Sequence, residues 1–189
     1  TKGSTIAYEL GPPSNNSVEA TIVINGTNYP FITKYIASGF GTFSGSVSRT
    51  GLPTFMATPG RLSEISSSAL LSVLTDPTRI SSAGAYSLNE ADKVFENSRE
   101  AASLIYNTPL ITQADSGTPV VFSSIRGTIT FVSYSASLEG YFSGTFEATV
   151  AGSRETLGVP VPGTDSRESL LGTITGRFGI TLGTSLESP

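Results

Sequence analysis

The stretch VEATIVING, from Val18 to Gly26, decides the fold class of this chain. Its even-numbered residues are apolar up to position 24, and this alternation is the period of a half-buried β-strand. Asn25-Gly26 follows at once, and both residues tolerate the positive φ angles of a two-residue hairpin turn. The return strand is predicted over Tyr29 to Tyr35, where Pro30 favours an edge position because it donates no hydrogen bond.

Further alternating segments predict strands towards both ends of the chain. They are Thr5 to Leu10 and Phe40 to Val47 in the first part, and Val120 to Ile125, Thr128 to Tyr134, Leu138 to Val150 and Leu170 to Leu182 in the last. The loop between the last two contains Gly158 to Gly163 with two prolines, which fits neither a helix nor a central strand.

The middle of the chain, residues 58–108, is predicted to be a helical insertion. A stripe of apolar residues from Leu62 to Val73 follows a cap predicted at Thr58-Pro59-Gly60 and stops at Asp76-Pro77. Ser87 and Glu90 have the spacing of a capping box, and a second stripe runs from Ala91 to Ile105. We therefore expect a mainly β single domain over residues 1–189, an antiparallel β-sandwich or open barrel with two helices between strand groups 4–50 and 119–183.

A short unit of Gly, Thr and a large apolar residue occurs four times. It begins at Gly41, Gly127, Gly144 and Gly172. The unequal spacing disfavours a solenoid or propeller. Each unit favours a half-buried strand in which Thr and the apolar residue face opposite sides, while glycine permits a bulge or a close approach. Chance in a chain so rich in Gly and Thr explains the recurrence about equally well.

The chain contains no histidine and no cysteine. Their absence removes the Ser-His-Asp triad, thiol nucleophiles, thiolate zinc sites and haem held by either residue. The four aspartates lie far apart and form no calcium loop. We expect no cofactor and no metal site, and we predict that the protein is not an enzyme.

Carboxylate chemistry is the enzymatic alternative. Glu139 and Glu147 lie an even number of residues apart on one predicted strand, so both side chains would share a face. A glycosidase needs two such acids at a defined separation. The simpler interpretation is that both glutamates lie on the solvent face of the strand.

Four tyrosines are the candidate ligand-binding residues: Tyr29, Tyr35, Tyr134 and Tyr141. An exposed tyrosine combines an apolar ring with a polar hydroxyl, which suits contact with a sugar or a peptide. Half-buried packing within the sheet is the more common role of a tyrosine on a strand.

The charge balance bears on partners and on location. The formal net charge is −4, and only three of the eleven basic residues are lysines, so no cation cluster favours nucleic acid. No run of 18 apolar residues predicts a membrane-spanning helix. The surface rich in Ser and Thr favours an exported protein, periplasmic, anchored to the outer membrane or at the cell surface, and a lipid anchor upstream is compatible with the absence of cysteine.

The C-terminal third resembles a group of small uncharacterised lipoproteins of Bacteroidetes-type bacteria. The resemblance is carried by Leu138 to Phe146, with its Ser-Gly-Thr-Phe ending, and by Thr175-Gly176-Arg177-Phe178. It implies a β-sandwich anchored by lipid, without assigned catalytic residues. We therefore expect a binding or structural module of the cell envelope whose partner is a polysaccharide, a peptide or a sister subunit. The alternatives are a hydrolase that uses carboxylates and a subunit of a fibre or pilus-like assembly.

Overall fold

The computed structural model describes residues 17–32, 35–40, 53–58, 69–75, 80, 82–90, 102–135, 141–155, 167–181 and 185–187. These residues form one antiparallel sheet of eleven strands. The strands are β1 Ser17–Ile24, β2 Thr27–Ile32, β3 Tyr35–Phe40, β4 Pro53–Thr58, β5 Leu70–Thr75, β6 Gly84–Ser87, β7 Ala102–Thr112, β8 Pro119–Ser133, β9 Tyr141–Glu155, β10 Arg167–Thr181 and β11 Ser185–Glu187.

The strand order is β11-β3-β4-β5-β7-β8-β9-β10-β1-β2, and β6 pairs with β8 beside this path. Most neighbours are therefore consecutive in the chain, as in a meander. The exceptions are the pairs β5–β7, β6–β8, β11–β3 and β1–β10, of which the last joins strands from the two ends of the sequence. β2 and β3 lie far apart in the order although only residues 33 and 34 separate them in the chain.

The first hairpin forms as its sequence predicts. Asn25 and Gly26 have φ angles of 46° and 80°, and β2 returns alongside β1. β2 ends the strand order, which confirms the edge position that Pro30 indicated. Two other early strands were predicted. The one from Thr5 to Leu10 lies outside the described residues, and so do residues 41–47 of the one that begins at Phe40.

The helical prediction is wrong over three segments of the region 58–108. Leu70–Thr75, Gly84–Ser87 and Ala102–Thr112 are strands β5, β6 and β7, and the described residues contain no helix. Residues 71–75 and 102–104 are all buried, so both faces of these strands are covered. Such strands lose the apolar–polar alternation, and their apolar residues then also match a helical spacing. Residues 59–68 and 91–101 lie outside the described part, where the two helices stay a prediction.

One long strand, β8, replaces the two strands predicted over 120–125 and 128–134. The register between β8 and β9 shifts between Ser124 and Arg126, and Gly127 has a φ angle of 154°. The shift is a β-bulge, which changes the pairing locally without ending the strand. The sequence Arg126-Gly127 therefore marks a bulge where a break between strands was expected.

The inner face of the sheet carries an aromatic core. The rings of Phe131 on β8 and Phe178 on β10 meet edge to face with their centroids 5.6 Å apart. Gly144 on β9 is paired with both residues, so the two rings meet across the strand at the place where a side chain is missing. Phe142 and Phe146, the neighbours of Gly144 on the inner face, also pack against Phe178.

A buried serine fixes the point where β7 and β8 separate. The hydroxyl of Ser124 accepts a hydrogen bond from the Leu104 amide at 2.9 Å and donates one to the Asn89 carbonyl at 2.7 Å. The chain leaving β6 enters the gap, where the Leu88 amide bonds to the Gly127 carbonyl of β8. One hydroxyl therefore adds a link between β8, β7 and the segment that follows β6.

Candidate binding face

The outer face of the sheet presents a row of exposed polar side chains that crosses five strands. Strand pairing places Thr21 of β1, Thr175 of β10, Glu147 of β9, Thr128 of β8 and Ser87 of β6 side by side. All five residues are exposed. With strands about 4.8 Å apart, the row is about 19 Å long. We call these five residues the hydroxyl row.

The local reason for this row lies in the strand period. Thr128, in the unit that begins at Gly127, precedes buried Ile129. Thr175 directly follows buried Ile174, the last residue of the unit that begins at Gly172. Each threonine must then face outwards because successive side chains of a strand point to opposite sides. The antiparallel registers align them with Thr21 of the first hairpin.

Charged side chains flank the hydroxyl row on both sides. On one side, two residues along the strands from Thr128 and Glu147, the Arg126 Nε donates a hydrogen bond to the Thr149 hydroxyl at 3.2 Å. On the other side, two residues along the strands from Thr175 and Thr21, the Arg177 guanidinium forms an ion pair with the Glu19 carboxylate at 2.7 Å. The guanidinium of Arg177 is already neutralised by Glu19, so the row presents hydroxyls and one carboxylate between two arginines.

An apolar strip lies beyond Arg126 on the same outer face. Its members are Val121, Ile125 and Leu171, whose exposed fractions are 57 %, 39 % and 53 %. The pairing of Leu171 with Ala151, and of Ala151 with Ser123, sets the strip across β10, β9 and β8. The outer face therefore combines a polar and an apolar part within one rigid sheet.

The carboxylate pair expected from the sequence is placed only in part. Glu147 is exposed on the outer face, as the simpler interpretation predicted, and its cross-strand neighbours are Thr128 and Thr175. Glu139 lies outside the described residues. The described residues directly opposite Glu147, Thr128 and Thr175, include no second carboxylate.

The three candidate tyrosines whose side chains are described do not form one exposed surface. Tyr29 is half-buried against the core, and the half-buried ring of Tyr134 lies 4.9 Å from that of Phe131, edge to face. Tyr141, at the start of β9, is 38 % exposed. Tyr35 begins β3, and its side chain lies outside the described part. Among the described three, Tyr141 alone has the exposure expected of a surface contact.

Sequence reasoning missed a tyrosine inside the sheet. Tyr106 of β7 is buried, and this burial raises the pKa of its phenol. A hydrogen bond to the Thr108 side chain lowers the pKa, and the proximity of Tyr29 raises it. Tyr29 and Tyr106 lie on strands five positions apart in the sheet order.

The hydroxyl row was also missed, because it depends on pairing between residues far apart in the chain. A partial signal is the Gly-Thr unit that begins at Gly127, because its Thr128 belongs to the row. Each unit predicts an outward threonine, but a single sequence does not say which outward residues become neighbours.

Comparison with protein-family models, with curated proteins and with solved structures yields no match for this chain. Within the described ranges no three acidic residues gather where a metal ion could bind. The same ranges hold no helix long and apolar enough to cross a membrane.

Proposed function

We propose that this protein is a non-enzymatic binding module of the cell envelope whose partner is a neutral polysaccharide, bound along the hydroxyl row. The observation that carries the proposal is the alignment of five exposed side chains, with Glu147 at the centre, across five hydrogen-bonded strands. A row of this length suits an extended polymer better than a small, enclosed ligand.

The chemistry of the face supports a sugar partner. Hydroxyl groups donate and accept hydrogen bonds, and a carboxylate accepts several, so threonines beside Glu147 can bind successive sugar hydroxyls. Sugar rings also have apolar C–H faces, which the apolar strip of Val121, Ile125 and Leu171 can cover. The central carboxylate disfavours an anionic polymer, because like charges repel.

A sheet that closes on itself would hold this row rigid, and closure is part of the proposal. Support comes from two observations. β2 and β3 lie near opposite ends of the strand order although only residues 33 and 34 separate them in the chain, and Tyr29 of β2 raises the pKa of Tyr106 of β7 although five strand positions separate these two strands. A flat sheet would put those strands about 24 Å apart. We infer an open or closed barrel whose interior is filled by aromatic side chains and in which β2 and β3 act as one bent strand. A β-sandwich with the same strand order would present the same hydroxyl row on its outer face.

The proposed location is the exported one, and a lipid anchor upstream remains part of the proposal. The support is compositional: charged residues make up 14 % of the chain, and Ser and Thr supply much of its polar surface. Fractionation of cells that express the natural gene tests this point. Recovery with the periplasm or outer membrane is expected, and recovery in the cytosol would contradict it.

Affinity gel electrophoresis tests the binding function directly. The purified protein is run through native gels that contain a mannan, a xyloglucan, a mixed-linkage β-glucan or an amylopectin. We expect at least one polymer to retard the protein, and the double variant Thr128→Val/Thr175→Val to lose most of the retardation. Two hydrogen bonds at about 0.5–1.5 kcal/mol each correspond to a loss of affinity of about 5- to 150-fold.

Thr27→Val is the matched control, because Thr27 is an exposed threonine of the hairpin outside the hydroxyl row. It should run as the unchanged protein does. If none of the polymers retards the unchanged protein, or if the double variant is retarded equally, the proposal is wrong. Release of reducing ends from a polymer, abolished by Glu147→Gln, would replace it with the hydrolase alternative.

A further inference from the structure

A second row of outward side chains runs parallel to the hydroxyl row, two residues further along the strands. Strand pairing sets its five members side by side: Arg126 of β8, Thr149 of β9, Thr173 of β10, Val23 of β1 and Asn28 of β2. Arg126, Thr173 and Asn28 are exposed, and the other two are half-buried. Two residues of a strand advance about 6.8 Å, so the two rows are parallel lines at that distance. We call the second one the arginine row.

Arg126 is oriented within this row by a hydrogen bond. Its Nε donates to the Thr149 hydroxyl at 3.2 Å, while the side chain stays exposed. A guanidinium has five N–H donors in a fixed plane, and this bond uses one of them. The donors of the two terminal amino groups therefore suit oxygen atoms of a ligand that lies over the outer face.

The distribution of chemistry over the outer face favours a ligand that crosses the strands. Along β10, the residue two positions after Thr175 is Arg177, which is paired with Glu19, and four positions before Thr175 lies Leu171 of the apolar strip. A polymer laid along this strand would meet a hydroxyl, an ion pair and an apolar side chain in turn. A polymer laid across the strands meets a hydroxyl or a carboxylate at every strand of the hydroxyl row.

We propose that the polysaccharide of this site is an extended β-1,4-linked glycan that lies across the strands with one sugar ring per strand. The inference rests on the proposed function and names the class of polymer. Strands are about 4.8 Å apart, and successive rings of a β-1,4-linked pyranose chain advance by only slightly more than this distance. Such a chain is nearly straight and follows a row. An α-1,4-linked glucan coils into a helix, so its rings would leave a straight row after a few units.

The two rows also suit the two edges of such a chain. A β-1,4-linked chain is a ribbon whose hydroxyl groups project mainly from its edges, whereas the faces of its rings carry C–H groups. The hydroxyl row and the arginine row, about 6.8 Å apart, lie near the opposite edges of a ribbon that is one ring wide. Thr175 and Glu147 can then bind hydroxyls of one edge while Arg126 and Thr173 bind those of the other.

Isothermal titration calorimetry with oligosaccharides of defined length tests the inference. The β-1,4-linked oligosaccharides of glucose and of mannose are compared with α-1,4-linked glucose oligosaccharides of the same lengths. We expect the affinity for at least one β-1,4-linked series to rise about 2- to 12-fold with each added unit, the equivalent of one hydrogen bond. The rise should stop at about five units, since five strands contribute to the row. The α-1,4-linked series should gain little beyond its first few units.

A variant at one end of the hydroxyl row locates the ligand on it. Thr21 of β1 is the last member on one side, so Thr21→Val should move the end of the rise from about five units to about four. Ser169→Ala is the matched control, because Ser169 is exposed on the outer face of β10 but lies outside both rows. It should leave the length dependence unchanged.

The possible results separate this inference from the proposed function. Binding that gains nothing beyond about two units, or that gains equally in the α-1,4-linked and β-1,4-linked series, would overturn the inference and leave the polysaccharide function in place. A length dependence that Thr21→Val changes no more than Ser169→Ala does would also overturn it. If no oligosaccharide and no polymer binds, the proposed function fails and the inference fails with it.

Discussion

Gly144→Ala is expected to be severely destabilising, because the added methyl group would have no space. A Cβ built at Gly144 overlaps the carbonyl oxygen of Thr130 and lies 2.9 Å from its carbonyl carbon. Both atoms belong to the main chain of β8, so no side-chain rotation relieves the contact. The β8–β9 ladder would have to move apart at the place where Phe131 and Phe178 meet.

The magnitude follows from the cost of overpacking, which is about 1–3 kcal/mol for extra atoms in a packed core and more when the backbone must shift. We therefore expect Gly144→Ala to lower the free energy of unfolding by about 3 kcal/mol or more. Gly117→Ala is the comparison. Gly117 has a φ angle of 66° and nothing within 4 Å of a built Cβ, so the change costs only the backbone strain of about 1–2 kcal/mol.

Urea denaturation followed by tyrosine fluorescence and far-UV circular dichroism measures both variants. The steric reasoning predicts that Gly144→Ala loses clearly more stability than Gly117→Ala. A loss at Gly144 equal to or smaller than that at Gly117 would refute it, because the close approach of β8 and β9 would then not constrain this position.

Three further outcomes follow from other contacts. Ser124→Ala should lower the free energy of unfolding by about 1–3 kcal/mol, because two main-chain groups lose the hydroxyl as their hydrogen-bond partner. Exposed Ser116→Ala should change the free energy of unfolding by less than about 0.5 kcal/mol in the same urea titration. The pKa of Tyr106 is raised in the folded protein, so its contribution to stability is present below pH 10, the ordinary tyrosine value, and is lost as the pH rises through the folded pKa. A tyrosinate absorbance titration should show one phenol that ionises later than the rest. Simultaneous ionisation of all the phenols would contradict this. Arg177→Gln should change stability by no more than about 1 kcal/mol, because the pair with Glu19 is partly open to solvent, with side chains 26 % and 50 % exposed. A larger loss in thermal unfolding would assign the pair a structural role.

Local signals predicted the parts of the fold that depend on neighbouring residues. The Asn25-Gly26 turn is set by the conformations that two adjacent residues tolerate, so the hairpin and its alternation were visible in the sequence. The long strands β9 and β10 were also predicted, with ends that differ by a few residues. In each case one face is buried and the other is not.

The errors arose where burial or pairing hides the local pattern. β5 reads Leu-Leu-Ser-Val-Leu-Thr, and because both of its faces are covered, its apolar residues fitted a helical stripe as well as a strand. Gly127 looked like a break between two strands, whereas the bulge beside it lets β8 continue. The hydroxyl row depends on registers between strands up to about 150 residues apart, such as Thr21 opposite Thr175, and no short-range pattern encodes those registers.

The most direct test of the central claim, polysaccharide binding along the hydroxyl row, is a map of amide chemical shifts during titration with an oligosaccharide of whichever polymer retards the protein. The account predicts that the largest changes cluster at Thr21, Thr128, Glu147 and Thr175 and extend towards Leu171 of the apolar strip. Changes confined to the β1–β2 turn or to the opposite strands β3 to β5, or no change at saturating oligosaccharide, would contradict it.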